Sequence, residues 1–182
     1  MLTDRQIDRV LGKLKRFETT LEPMLFEPIA SLDAQMHETE QNLDSAPVDA
    51  AYIPAKKGAV WGGEWKYCWF QTEYTVPEEY ANIPLFLKAD VGGQESMLFI
   101  DGVPSGIFTI PQNGAAHGYH YCDLITMGTA ANTHYHFDLE AYAWHYTPGS
   151  QPMVTNPMPD FLHHYNSIEV CVKNPVINQF YF

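Results

Sequence analysis

Basic residues are scarce in this 182-residue chain: ten Lys and Arg stand against 22 Asp and Glu, for a formal net charge of −12. Five of the ten (Arg5, Arg9, Lys13, Lys15, Arg16) fall in the first sixteen positions. With Asp4 and Asp8 they leave that segment at +3 and the remaining residues at −15. So acidic a body repels phosphate backbones, and it has no basic groove with interleaved aromatics, which excludes nucleic acid as a partner class. Cysteine is also rare. Cys68, Cys122 and Cys171 lie far apart with no C-x-x-C pair, a usage that fits reduced thiols better than a disulfide framework. No apolar run reaches the length of a membrane span, and the opening MLTDRQIDRVLGKL has no apolar leader core. These absences predict a soluble, cytoplasmic chain without a membrane partner. Several catalytic signatures are missing too: there is no G-x-S-x-G, no P-loop, no dinucleotide-binding glycine fingerprint and no H-E-x-x-H.

What is present reads as one strand-rich domain with an appendage. The apolar share of 46% and the aromatic share of 14% suit a packed β core. Residues 3–21 place Ile7, Val10, Leu11, Leu14, Phe17 and Leu21 at helical spacing, and Thr3 with Gln6 has the form of a capping box. The stripe of this amphipathic helix calls for a partner helix or the domain body. Residues 22–58 carry Pro23, Pro28, Pro47 and Pro54 and an acidic polar run, and read as an irregular arm. After Trp61 come short β-rich runs, KYCWFQTEYTV, IPLFLKADV, SMLFIDG, VPSGIFTI, HYHFDLEAYAWHY and SIEVCVKN, separated by Pro, Gly and Asn turns. Asp101-Gly102 is a tight-hairpin signal, because a type I′ turn needs positive φ at both central residues. No sustained helices separate the runs, so an antiparallel two-sheet sandwich is expected rather than a parallel sheet. The expected division is 1–58 for helix and arm and 59–182 for the sandwich.

The run THYHFDLEAYAWHY, residues 133–146, concentrates the candidate chemistry. On a strand, His134, His136, Asp138 and Glu140 share one face, while Phe137, Leu139, Ala141 and Ala143 share the other. Polar-out, apolar-in alternation predicts a solvated face over a core face with no ligand at all. Two sharper readings compete with that one. His-x-His is a spacing that transition metals use, and Gly128, His134, His136 and Glu140 resemble the first motif of the cupins, although Gly149 is two positions late and no Pro-x-Gly follows. Asp138 and Glu140 invite a glycosidase pair, but such carboxylates normally face each other across the substrate from different segments. Cys68 and Cys171 lie inside apolar strands and read as inert core residues. Trp61, Trp65, Trp69 and Trp144 suit core packing better than sugar stacking, although exposed members would fit a free-standing carbohydrate-binding module.

The order of the pieces is more specific than any one of them. Trp61-Gly62, Trp69-Phe70 and Pro77, then Asp101-Gly102 with Gly106-Ile107, then His117, then Glu140 to Ala143, resemble the N-terminal β-sandwich of glycoside hydrolase family 38 α-mannosidases. One departure is Phe108, where many relatives would carry an acid. The resemblance implies a galactose-binding-like jelly roll preceded by a helical arm, non-catalytic by itself, that braces a catalytic domain of the same polypeptide. Through that parent it implies mannose-containing glycans as substrates, a retaining mechanism, and zinc or another divalent metal held in the catalytic domain, with no cofactor in this chain. Self-association of the chain is a further expectation. The family's metal motif is His-x-His-x-Asp, which His134, His136 and Asp138 imitate. That motif opens a catalytic barrel of some hundreds of residues, whereas only residues 139–182 follow here, so the chain is expected to be inactive alone. The binding candidates at a sugar cleft or metal are His117, His134, His136, Asp138 and Glu140.

Overall fold

The computed structural model describes residues 3–109, 120–146 and 160–181. Helix α1 (Asp4–Leu21) forms where the periodicity places it. The Thr3 backbone N–H donates to Gln6 Oε1 at 2.9 Å, the reach-back half of the expected capping box. Among the described residues twelve strands follow: β1 (Phe26–Ser31), β2 (Ala34–Thr39), β3 (Ile53–Ala55), β4 (Val60–Gly62), β5 (Tyr67–Thr75), β6 (Leu85–Asp90), β7 (Glu95–Ile100), β8 (Val103–Thr109), β9 (Cys122–Thr126), β10 (His134–Tyr142), β11 (Leu162–His164) and β12 (Ser167–Lys173). A short helix α2 (Pro175–Tyr181) comes last.

All recorded strand pairings are antiparallel. A four-stranded sheet in the order β1-β12-β6-β9 packs on a six-stranded sheet in the order β3-β2-β5-β10-β7-β8, with a two-strand ribbon β11-β4 beside them. The expected antiparallel β-sandwich of jelly-roll type is therefore the fold. The inward residues of each strand come at every second position: Phe70, Leu98, Phe137 and Leu139 from the large sheet meet Leu85, Leu87, Ile168 and Val170 from the small one, each below 1% exposure. Asp101 and Gly102 have φ of 52° and 77° and close the β7–β8 hairpin, with Ile100 opposite Val103, as the type I′ reading requires.

Two expectations need correction. The stretch read as an irregular arm supplies β1, β2 and β3, which belong to the sheets. Its prolines hid this. Pro28 and Pro54 sit on β1 and β3, the edge strands of their sheets, and an edge strand is where a residue without an N–H is tolerated. The second correction concerns α1, whose stripe the body does not cover: Leu21 alone is buried, while Ile7, Val10, Leu11, Leu14 and Phe17 are 41% to 58% exposed.

The Trp61-Gly62 pair has a structural reason. Trp61 is buried and its indole N–H donates to the Val91 carbonyl at 2.7 Å. Gly62 has φ of +109°, and a Cβ there would lie 2.5 Å from the Phe161 carbonyl oxygen, a contact that only glycine avoids. Cys68, Cys122 and Cys171 are all buried and free, and burial pushes the Cys68 thiol well up. No helix among the described residues is long and apolar enough to cross a membrane.

Candidate functional site

The outer face of the six-stranded sheet gathers most of the polar candidates. β10 lies between β5 and β7, and residues directly opposite on paired strands share a face. His136 therefore faces Glu73, Asp138 faces Gln71 and Phe99, and Glu140 faces Trp69 and Met97. The inward set is as expected, with Phe137, Leu139, Ala141 and Ala143 all at 0% exposure.

The outward set is not a plain wet face. Asp138 is only 6% exposed. Its Oδ1 accepts from Gln71 Nε2 at 2.8 Å and hydrogen-bonds His136 Nε2 at 3.1 Å. The other His136 ring nitrogen lies 3.6 Å from Glu73, which also stands 3.8 Å from His134 Nε2. His134 Nδ1 bonds the Thr75 hydroxyl at 3.0 Å, and the His136 backbone N–H donates to the Asp101 carboxylate at 2.9 Å. The segment after β2 folds back over this face. Ala51 O bonds His37 Nδ1 at 3.2 Å, and the Tyr52 ring lies 5.5 Å from the His37 ring. Burial first, and the Asp138 charge second, push the Tyr52 hydroxyl up to about 12. That hydroxyl and the Trp69 indole N–H are buried with no hydrogen-bond partner among the described residues.

The polar side chains here engage one another across the strands. The ring nitrogens and carboxylate oxygens of His134, His136 and Asp138 are turned toward one another and toward Glu73, Gln71 and Thr75, and among the described residues no group of three or more His, Cys, Asp or Glu side chains is arranged to hold an ion. The cupin-like set does not assemble either, because Glu140 belongs to a different part of the face. His117 lies outside the described residues.

Glu140 opens onto a cavity of about 470 Å³ between the β7–β8 hairpin and the segment after β2, within the range of small-molecule pockets, roughly 300–1,000 Å³. Its floor is Met97, Phe99 and Ile107. One wall is Tyr67 and Tyr142, cross-strand neighbours whose rings stack at 4.8 Å. Asn42, Asp44 and Glu95 complete the rim. Glu140 Oε1 accepts the Leu43 N–H at 3.4 Å. Desolvation is the main cause that raises the Glu140 carboxyl above its ordinary range, Asp44 adds to it, and the Leu43 bond opposes both. Beyond the tyrosines the Tyr142 hydroxyl bonds His145 Nδ1, and His145 stacks on Trp65 at 3.6 Å. Trp65, 55% exposed, and Trp144 both have positive φ, unusual for residues of this bulk.

Sequence reasoning named Glu140 but missed Tyr67, Glu73, Met97, Ile107 and Tyr142. The signal was partly there: in YCWFQTE the outward positions Tyr67, Trp69, Gln71 and Glu73 alternate as strictly as those of β10. Which of them meet which residues of β10 is set by register, and register is not local.

The family model "Alpha-mannosidase, jelly roll domain" matches residues 28–154. The chain belongs to this family. The likeness expected from the Trp-Gly, Asp-Gly and Glu-Ala-Tyr-Ala landmarks is thus met at the level of the α-mannosidase jelly roll. Among solved structures it is similar to the β-glucuronidase of Faecalibacterium prausnitzii (11% identity, TM-score 0.51, covering 83% of this chain and 31% of that one). It is also similar to β-glucuronidases from Ruminococcus gnavus (10%, TM-score 0.52, 83% and 30%) and an uncultured Clostridium species (10%, TM-score 0.51, 82% and 30%). At such identity the likeness concerns the fold of the jelly-roll domain. The domain spans less than a third of each of these structures. No curated protein matches the chain.

Proposed function

We propose that this chain is the N-terminal, non-catalytic jelly-roll domain of a family 38 α-mannosidase. The parent would hydrolyse α-mannosides in mannose-containing glycans with retention, using a divalent metal held in its catalytic domain. The role of the described domain is to brace that catalytic domain. The observation that carries the reading is the family match over residues 28–154. Two features of the geometry support it. The side chains of His134, His136 and Asp138 are engaged with one another and with Glu73 and Gln71. The exposed apolar stripe of α1 is a surface that a following domain would cover. The buried free thiols support a reducing, cytoplasmic setting.

The test pairs an assay with a binding measurement. The purified chain should not hydrolyse an aryl α-mannoside, with or without added zinc. It should associate with a separately produced catalytic portion of the parent. Leu14→Glu with Phe17→Glu in α1 should weaken that association at least tenfold without changing the melting temperature of the chain. Turnover by the chain alone, abolished by a chelator, would overturn the non-catalytic assignment.

A further inference from the structure

We infer that the cavity beside Glu140 is a binding site for a neutral pyranose ring, a carbohydrate subsite on the outer face of the jelly roll. The argument rests on what this part of the sheet exposes. On the solvent side of a sandwich, sheet positions are ordinarily polar, yet Met97 and Ile107 stand opposite each other on β7 and β8 at 38% and 49% exposure. Phe99, 6% exposed, adjoins them, so apolar side chains of β7 and β8 line one side of the cavity.

The rim is the opposite in character. Glu140 comes from β10, Glu95 from the start of β7, and Asn42 and Asp44 from the segment after β2. These groups are mainly acceptors, and they are spread around the floor from three separate segments. A pyranose has the complementary form: one C–H face that packs on apolar and aromatic surface, and a perimeter of hydroxyls that donate to carboxylate and amide oxygens. The wall is held ready for it. Tyr67 and Tyr142 stack on each other, the Tyr67 hydroxyl accepts from Asn42 Nδ2 at 3.3 Å, and the Tyr142 hydroxyl is tied to His145. Little ordering is left to occur on binding. An organic cation is the competing occupant, since among the described residues no Lys or Arg lines the cavity. It calls for charge focused at one point, often over an aromatic face, whereas here the carboxylates are distributed around an apolar floor.

The inference goes beyond the bracing role and does not depend on the parent's reaction. The experiment is a titration of the 182-residue chain, followed by backbone NMR, with methyl α-mannopyranoside, an α-linked mannobiose and, as the cationic arm, arginine methyl ester. The expected result is saturable shifts at millimolar sugar confined to residues around Tyr67, Met97, Ile107 and Glu140. Ile107→Asp, at a half-exposed position, should abolish them while the rest of the spectrum is unchanged, and Glu140→Gln should weaken binding several-fold. Absence of saturable shifts with either sugar, shifts that survive Ile107→Asp, or saturation by the arginine ester alone would each overturn the assignment. None of these outcomes bears on whether the chain docks on a catalytic domain, so the two readings fail separately.

Discussion

The inward side chains of β10 and its outward ones differ in what each would cost to remove. Inside, Phe137, Leu139 and Ala141 are fully enclosed by the opposite sheet, and their contribution is apolar area plus close packing, which any deletion converts into a void. Outside, His136, Asp138 and Glu140 contribute through partners. Asp138 organises Gln71 and His136, and Glu140 is partly desolvated with a single weak backbone donor. Alternation in a strand therefore separates two kinds of stability as well as two environments. The inner kind is indifferent to pH, and the outer kind depends on which groups carry protons.

The largest expected effect is on the inner face. Phe137→Ala should destabilise the domain by about 3–5 kcal/mol, read as a lowered denaturant midpoint with an unchanged slope. Next is Asp138→Ala, which leaves the Gln71 amide and His136 without their buried acceptor and should cost about 1–3 kcal/mol; Asp138→Asn, which keeps an acceptor oxygen, should cost less. If Asp138→Ala proved neutral, the outer face would be a solvated surface after all and the contrast would collapse. Glu140→Gln should act in the other direction. The folded carboxyl has a raised pKa, so the folded state binds the proton more tightly than the unfolded chain does. The group therefore subtracts stability as pH rises above the ordinary glutamate range and subtracts none well below it. The glutamine variant should be slightly more stable than the native chain at neutral pH, by under about 1 kcal/mol because the group is half exposed. That advantage should vanish in acid, as paired melts across pH would record. Smallest is His134→Ala. Its side chain is 53% exposed, and a change within about 0.5 kcal/mol is expected in the same melts.

How much of this was legible beforehand varies with how local the determinant is. The α1 period, the Asp101-Gly102 turn and the inward face of β10 are written in neighbouring residues, and each came out as the sequence implied. β1 and β3 were obscured because proline argues against a strand unless the strand lies at an edge, and edge position is a property of the finished sheet. The same holds for the site. His136 and Asp138 were visible as residues on one face, but Glu73 and Gln71 meet them only through the β5–β10 register. The Tyr52 hydroxyl that senses the Asp138 charge comes from a segment about ninety positions earlier. Trp69 was expected inside the sandwich. It is buried, yet on the outer side opposite Glu140, covered in a way that alternation alone does not reveal.

The pairing of β1 with β12, from Phe26 opposite Lys173 to Ser31 opposite Glu169, has a temporal consequence. The four-stranded sheet pairs the earliest-made of the described strands with the latest-made of them. Until Lys173 is made, β6 has no β12 beside it and β1 lacks the one strand it pairs with among the described residues. The small sheet therefore assembles only after synthesis has passed its final strand, by contacts of long sequence separation that form slowly. During that interval the apolar inner face of the larger sheet is open to solvent, which is when this domain is most vulnerable to aggregation.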